Sequence, residues 1–112
     1  MAVQVLIGNQ KGPLPIKTQF MSPGDMPMYL EIQGSVWTQS ANQMIGIQVS
    51  LDGNPVGTAN IFSNTPSTHR TAVPVYIPVK LDQGSHTIEL SVAPNTTTVS
   101  DFNDFFSAVL HY

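Results

Sequence analysis

Asp101, Asn103 and Asp104 stand within four positions of one another near the end of the chain. Carboxylate and amide oxygens are the donors that calcium takes, and a loop beside a strand end can converge several of them. Three side chains fall short of the roughly six to eight oxygens of a calcium shell, so backbone carbonyls, Asn95 or water would have to complete it. The competing explanation is an Asx turn, in which Asp101 and Asn103 bond their own backbone. Asp101, Asn103 and Asp104 are the expected metal ligands if a metal is held, and calcium is the ion that their oxygens suit.

A second set of residues suits a neutral sugar. An aromatic ring can cover the apolar side of a pyranose while hydrogen-bonding groups address its hydroxyls. Trp37 opens a polar loop, and His69 and Arg70 leave another that begins at Asn64; Asn95 lies in a third. Trp37, Asn64, His69, Arg70 and Asn95 are therefore the expected ligand-binding residues, with Asn60 and Tyr76 as extensions. The ordinary alternatives are an indole that packs the rim of the core and an arginine that is simply solvated.

Catalysis is not expected. The three histidines, His69, His86 and His111, are scattered, and no G-x-S-x-G elbow accompanies any of the ten serines. His86 falls on the apolar side of its segment and reads as a packed histidine, whereas His111 reads as a surface one. A glycosidase would need two carboxylates flanking a bond. Asp25, Asp52 and Asp82 instead occupy turn positions, and Glu31 and Glu89 alternate outward.

Composition narrows the partners. The formal charge is −3 with four basic residues, Lys11, Lys17, Arg70 and Lys80, which removes the electrostatic footprint of nucleic-acid binding. Only 10% of residues are charged, so the polar surface is built from seven Asn, eight Gln, ten Ser and ten Thr. There are no cysteines, which excludes disulfides, thiolate chemistry and thiolate-ligated metals. No stretch approaches the ~18 apolar residues of a membrane span, and the first ten residues lack the basic region of a signal peptide. A soluble single domain over 1–112 is expected, of a size that oligomerisation would help to stabilise.

The elements that would position these residues are strands. Met28, Leu30, Ile32, Gly34 and Val36 alternate with Tyr29, Glu31, Gln33 and Ser35, a period of two. Ile45, Ile47, Val49 and Leu51 repeat the pattern, and Asp52-Gly53 after them is a hairpin dipeptide that returns the chain along Val56 to Phe62. Val3 to Ile7 reads as a first strand, with Gly8 to Pro13 as a turn, and Leu14 to Phe20 as a second whose Pro15 argues for an edge. Val73 to Leu81 alternates too, but Pro74 and Pro78 remove donors from one side, so it should lie at a sheet edge or cross between sheets. His86 to Val92 and Phe106 to Tyr112 close the chain. No segment of ten residues has helical periodicity. About eight short strands at regular spacing predict an all-β, antiparallel two-sheet sandwich of jelly-roll type.

The run Ile47-Gln48-Val49-Ser50-Leu51-Asp52-Gly53-Asn54-Pro55-Val56-Gly57, with Gly84-Ser85-His86-Thr87-Ile88-Glu89-Leu90 later, resembles the galactose-binding-like jelly rolls that include non-catalytic carbohydrate-binding modules. That resemblance implies a small glycan-binding domain. Asp101-Phe102-Asn103-Asp104 resembles the end of the calcium loop of the calcium-dependent fucose- and mannose-binding bacterial lectins, although Val99 stands where a further acidic ligand is expected. The chain is also similar to the trimeric jelly rolls of the TNF/C1q kind. A lectin-like module is expected, recognising a glycan or glycoprotein through loops at one end of a sandwich. The alternative is a homo-oligomeric structural or interaction protein, such as a virion or surface-appendage component.

Overall fold

The structure is a computed structural model that describes residues 2–112. Ten strands follow one another without a helix: β1 (Val3–Lys11), β2 (Ile16–Ser22), β3 (Met28–Thr38), β4 (Gln43–Leu51), β5 (Asn54–Ser63), β6 (Arg70–Thr71), β7 (Val75–Val79), β8 (Gly84–Val92), β9 (Thr98–Val99) and β10 (Phe105–His111). Two of them, β6 and β9, are only two residues long. The other eight match the strands expected from periodicity.

Every pairing is antiparallel, and the strands form two sheets. One has the order β2-β8-β4-β5. The other is built on β3, with β10 and then β1 on one side and β6 and β7 on the other, while β9 joins the far end of β3. The inner faces meet in a core in which Leu30, Ile32, Val36, Ile45, Ile47, Val49, Ile88, Leu90, Ala108 and Leu110 have no solvent contact. Strict alternation explains this arrangement, since residues two apart share a face and the apolar set of each strand must turn inward together.

Most differences from the periodicity reading lie at strand ends. β1 continues through Gly8 and Asn9 to Lys11 where a turn was expected. Register shifts between Val5 and Ile7 and between Ile7 and Gln10 absorb the extra residues as bulges, and Asn9 sits at φ 46° with its N–H donated to Ser107 Oγ. β7 is shorter than expected, because Val73 and Pro74 lie outside it. The segment does cross between sheets: Ala72 N–H donates to Gly34 O in β3, and Val73 N–H to Asn60 O in β5. β7 then pairs with β3 alone, the edge position that its prolines predict.

The hairpin at Asp52-Gly53 forms as expected, with φ of 51° and 84° at the two positions. It also carries an interaction that the sequence does not announce. Asp52 Oδ1 accepts Thr87 N–H at 2.9 Å, and Oδ2 is 2.6 Å from His86 Nδ1. His86 Nε2 lies 2.8 Å from Asp82 O. His86 is thus a tie between two turns rather than a packed apolar-face residue. Both of its partners are acceptors, so the imidazolium satisfies both at once. His111 is likewise not a plain surface group: it is half-buried, stacked on Tyr29 and 2.8 Å from Glu31 Oε1.

The bond to Asp52 raises the His86 pKa above 6.5, and the bond from His86 lowers that of Asp52 below 3.8. A raised histidine pKa contributes stability that is complete below 6.5 and fades as pH climbs through the raised value. A lowered carboxylate pKa contributes stability present above 3.8 and lost as pH falls below it. Asp52→Asn should therefore lower the melting temperature most between about pH 4 and 6.5, with the gap to wild type narrowing on both sides. Thermal melts across pH check this, and parallel curves for the two proteins would contradict it.

Candidate functional site

Strand register places the β1–β2, β3–β4, β5–β6, β8–β9 and β9–β10 connections at one end of the sandwich. The Asp52–His86 tie lies at the other end. Trp37, Asn64, His69, Arg70, Asn95, Asp101, Asn103 and Asp104 all belong to the first end, so the expected site residues gather there although 67 positions separate the first from the last.

Asp104 is the centre of this end. It has no solvent contact, and a carboxylate so placed needs every lone pair addressed. Oδ1 accepts Ser35 Oγ–H at 2.7 Å and lies 2.6 Å from His69 Nδ1, while Oδ2 accepts Asp101 N–H at 2.9 Å. Its backbone carbonyl accepts Gly12 N–H at 2.8 Å. A Cβ at position 12 would fall 2.6 Å from Asp101 O, so only glycine lets the β1–β2 loop approach. Asp101 Oδ1 accepts Asn103 N–H at 2.8 Å, which is the expected Asx turn.

His69 connects this carboxylate to the aromatic group. Its ring lies 5.9 Å from that of Trp37, tilted by 45°, and its Nε2 is 3.8 Å from Asp101 Oδ2. The hydrogen bond to Asp104 raises the His69 pKa above 6.5, with the Asp104 and Asp101 charges adding to it and partial burial opposing it. Trp37 Nε1 is buried with no hydrogen-bond partner among the described residues.

The remaining expected residues are placed differently. Asn64 and Asn95 are exposed in their loops and make no hydrogen bond to the His69–Asp104 group, and Asn95 holds φ 60° at a turn. Arg70 stands opposite Val36 in the register and therefore shares that residue's face of the sheet. Thr71, opposite Ser35, occupies the face that carries Trp37. Ser35 and Gly12 are the participants that sequence reasoning missed. Ser35 could have been found, being an outward hydroxyl two positions before Trp37 on the same row; the Gly12 contact leaves no local signal.

His69, Asp101 and Asp104 carry ligand atoms within 4.8 Å of one another, a group that could hold a metal ion. It differs from an oxygen-only calcium cage. A ring nitrogen stands among the donors, and both oxygens of Asp104 and Oδ1 of Asp101 are already engaged. The donor set as arranged does not fit calcium through Asp101, Asn103 and Asp104 together without displacing those bonds.

No protein-family model and no curated protein matches the sequence. Solved structures do match the fold. The CBM36-1 domain of a multidomain xylanase from the hindgut metagenome of Trinervitermes trinervoides aligns over 96% of this chain and 76% of its own, at 16% identity and a TM-score of 0.54. The C-terminal domain of EclA, a sugar-binding protein, aligns over 99% of this chain and 79% of its own, at 10% identity and 0.53. A structure of infectious bursal disease virus, Gt strain, aligns over 97% of this chain but 31% of its own, at 15% identity and 0.51. The chain has the fold of these carbohydrate-binding modules, which is the fold that its strand and turn pattern resembles.

Asp104→Ala should cost about 3 kcal/mol in urea denaturation, because it strands Ser35, His69 and the Asp101 amide around a buried site. A loss below about 1 kcal/mol would mean that the carboxylate does not hold this end together.

Proposed function

We propose that this domain is a non-catalytic carbohydrate-binding module that recognises neutral sugars at the loop end around Trp37 and His69. The observation that carries the reading is the half-buried indole ring of Trp37 on the outer side of β3, 5.9 Å from an imidazole that is bonded to a buried carboxylate. An aromatic surface with pre-oriented polar groups is what a pyranose needs. Asn64 and Asn95, exposed on the flanking loops, supply further hydrogen bonds. The fold shared with the xylanase module and the EclA domain supports the reading without naming a sugar.

Binding is favoured over catalysis because no hydroxyl is held against a histidine among the described residues: the hydrogen bonds of His69, His86 and His111 go to Asp104, to Asp52 and the Asp82 carbonyl, and to Glu31. No serine hydroxyl bonds to a histidine among the described residues, so the arrangement that activates a hydroxyl nucleophile is missing from this set.

The loop needs no calcium in this reading. The hydrogen bonds of Asp104 assemble the loop by themselves, so millimolar calcium should move the melting temperature by less than about 1 °C. A rise of several degrees would mean that the ion builds the loop.

A second reading draws on β1, which pairs only with β10 and exposes Val3 and Val5 along a free edge. Such an edge suits a homo-oligomer of structural purpose, and the viral structure shares the fold. A glycan array separates the two. Neutral-sugar binding weakened about tenfold by Trp37→Phe supports the module. A defined oligomer in light scattering with an empty array supports the assembly protein instead.

A further inference from the structure

The outward residues of β3 form one row, Tyr29, Glu31, Gln33, Ser35 and Trp37, and it runs from one end of the sandwich to the other. Its aromatic ends are eight positions apart, roughly 26 Å at the rise of a strand. The register adds walls. Tyr29 lies between His111 and Pro78, Glu31 between Val109 and Tyr76, and Ser35 faces Thr71. Two hollows open on this face. One, of about 480 Å³, is lined by Tyr29, Tyr76, Pro78 and His111; the other, of about 240 Å³, by Gln33, Ser35, Thr71 and Ser107.

We propose that this row binds an extended, internal stretch of a neutral polysaccharide lying along β3, with Tyr29 and Tyr76 as a second aromatic subsite far from Trp37. The inference rests on the sugar-binding reading above and extends it from a loop site to a track. A single ring or a disaccharide at Trp37 would leave the tyrosine end untouched, whereas a chain reaches both.

The polar groups between the aromatic ends are already fixed. Gln33 Nε2–H donates to Glu31 Oε2 at 2.9 Å, Glu31 Oε1 lies 2.8 Å from His111 Nε2, and Ser35 is held by Asp104. Groups fixed before binding lose little freedom when a ligand arrives. Charge favours a neutral chain. The two carboxylates along the track, Glu31 and Asp104, are each bonded to an imidazole, and no lysine or arginine belongs to the row or to the walls named above. A uronate or sulfated polymer would meet Glu31 with no cationic partner. A second copy of the chain fits this face less well, because its centre is Glu31, Gln33, Ser35 and Ser107 rather than the apolar core of a stable interface.

Tyr76 is the residue on which to test this, since it is 61% exposed and its loss should leave the fold intact. Calorimetric titration with neutral gluco-, xylo- and manno-oligosaccharides of one to six units should give affinity that climbs with length beyond two units. Tyr76→Ala should lose about tenfold on the longest oligomer and nothing on the shortest that binds, with Tyr76→Phe close to wild type. Affinity that stops rising at the disaccharide, or a Tyr76→Ala variant equal to wild type on every length, would overturn the track and leave the Trp37 site standing. No binding at any length would overturn both. A dimer in light scattering that Tyr76→Ala dissolves would assign the face to a second copy instead.

Discussion

A carboxylate without solvent must be surrounded by donors, and at Asp104 that requirement draws together three parts of the chain. Ser35 comes from the central strand, His69 from the loop before β6, and Asp101 from the turn that leads into β10, while Gly12 from the loop after β1 joins them through the Asp104 backbone carbonyl. Removing a charge from water costs several kcal/mol unless its hydrogen bonds are remade. The loop end is therefore set by where donors can reach one buried group. Trp37 is placed by β3, where it pairs with Val99, and its ring lies 5.9 Å from the imidazole that Asp104 bonds. Loops carry binding residues in many folds, but at this end the order comes from one buried side chain rather than from the loops themselves.

A different constraint governs the sheets. Residues two apart share a face, so the apolar rows of β3, β4, β8 and β10 specify the core and their own register together. That is why the sandwich, the Asp52-Gly53 hairpin and the edge position of β7 could be read from the residues alone. What could not be read was long-range and polar. His69 and Asp104 are 35 positions apart, and His86 and Asp52 are 34. Neither pair has a local spacing rule, because strands bring together residues whose separation depends on loop lengths. Both histidines look ordinary in sequence, and each is defined by a partner on another element.

Arg70 shows the same limit on a smaller scale. Its neighbour Thr71 takes the outward place beside Ser35, and one position along a strand moves a side chain to the other face. The two-residue strands β6 and β9 were illegible for a similar reason. They have no periodicity of their own and exist because β3 is long enough to keep pairing after β7 and β10 have ended.

The fold occurs in xylanase modules, in a sugar-binding domain and within a viral structure, so it does not choose a function by itself. The function proposed for this chain rests on the outer side of β3, where aromatic and fixed polar groups share one row. Amide correlation spectra recorded while a neutral oligosaccharide is added test this most directly, because the single Trp37 indole N–H gives a resolved signal of its own. The account predicts that this signal shifts together with the amides of Gln33, Ser35 and His69. Shifts confined to the free edge at Val3 and Val5, or none while the sugar binds, would contradict it.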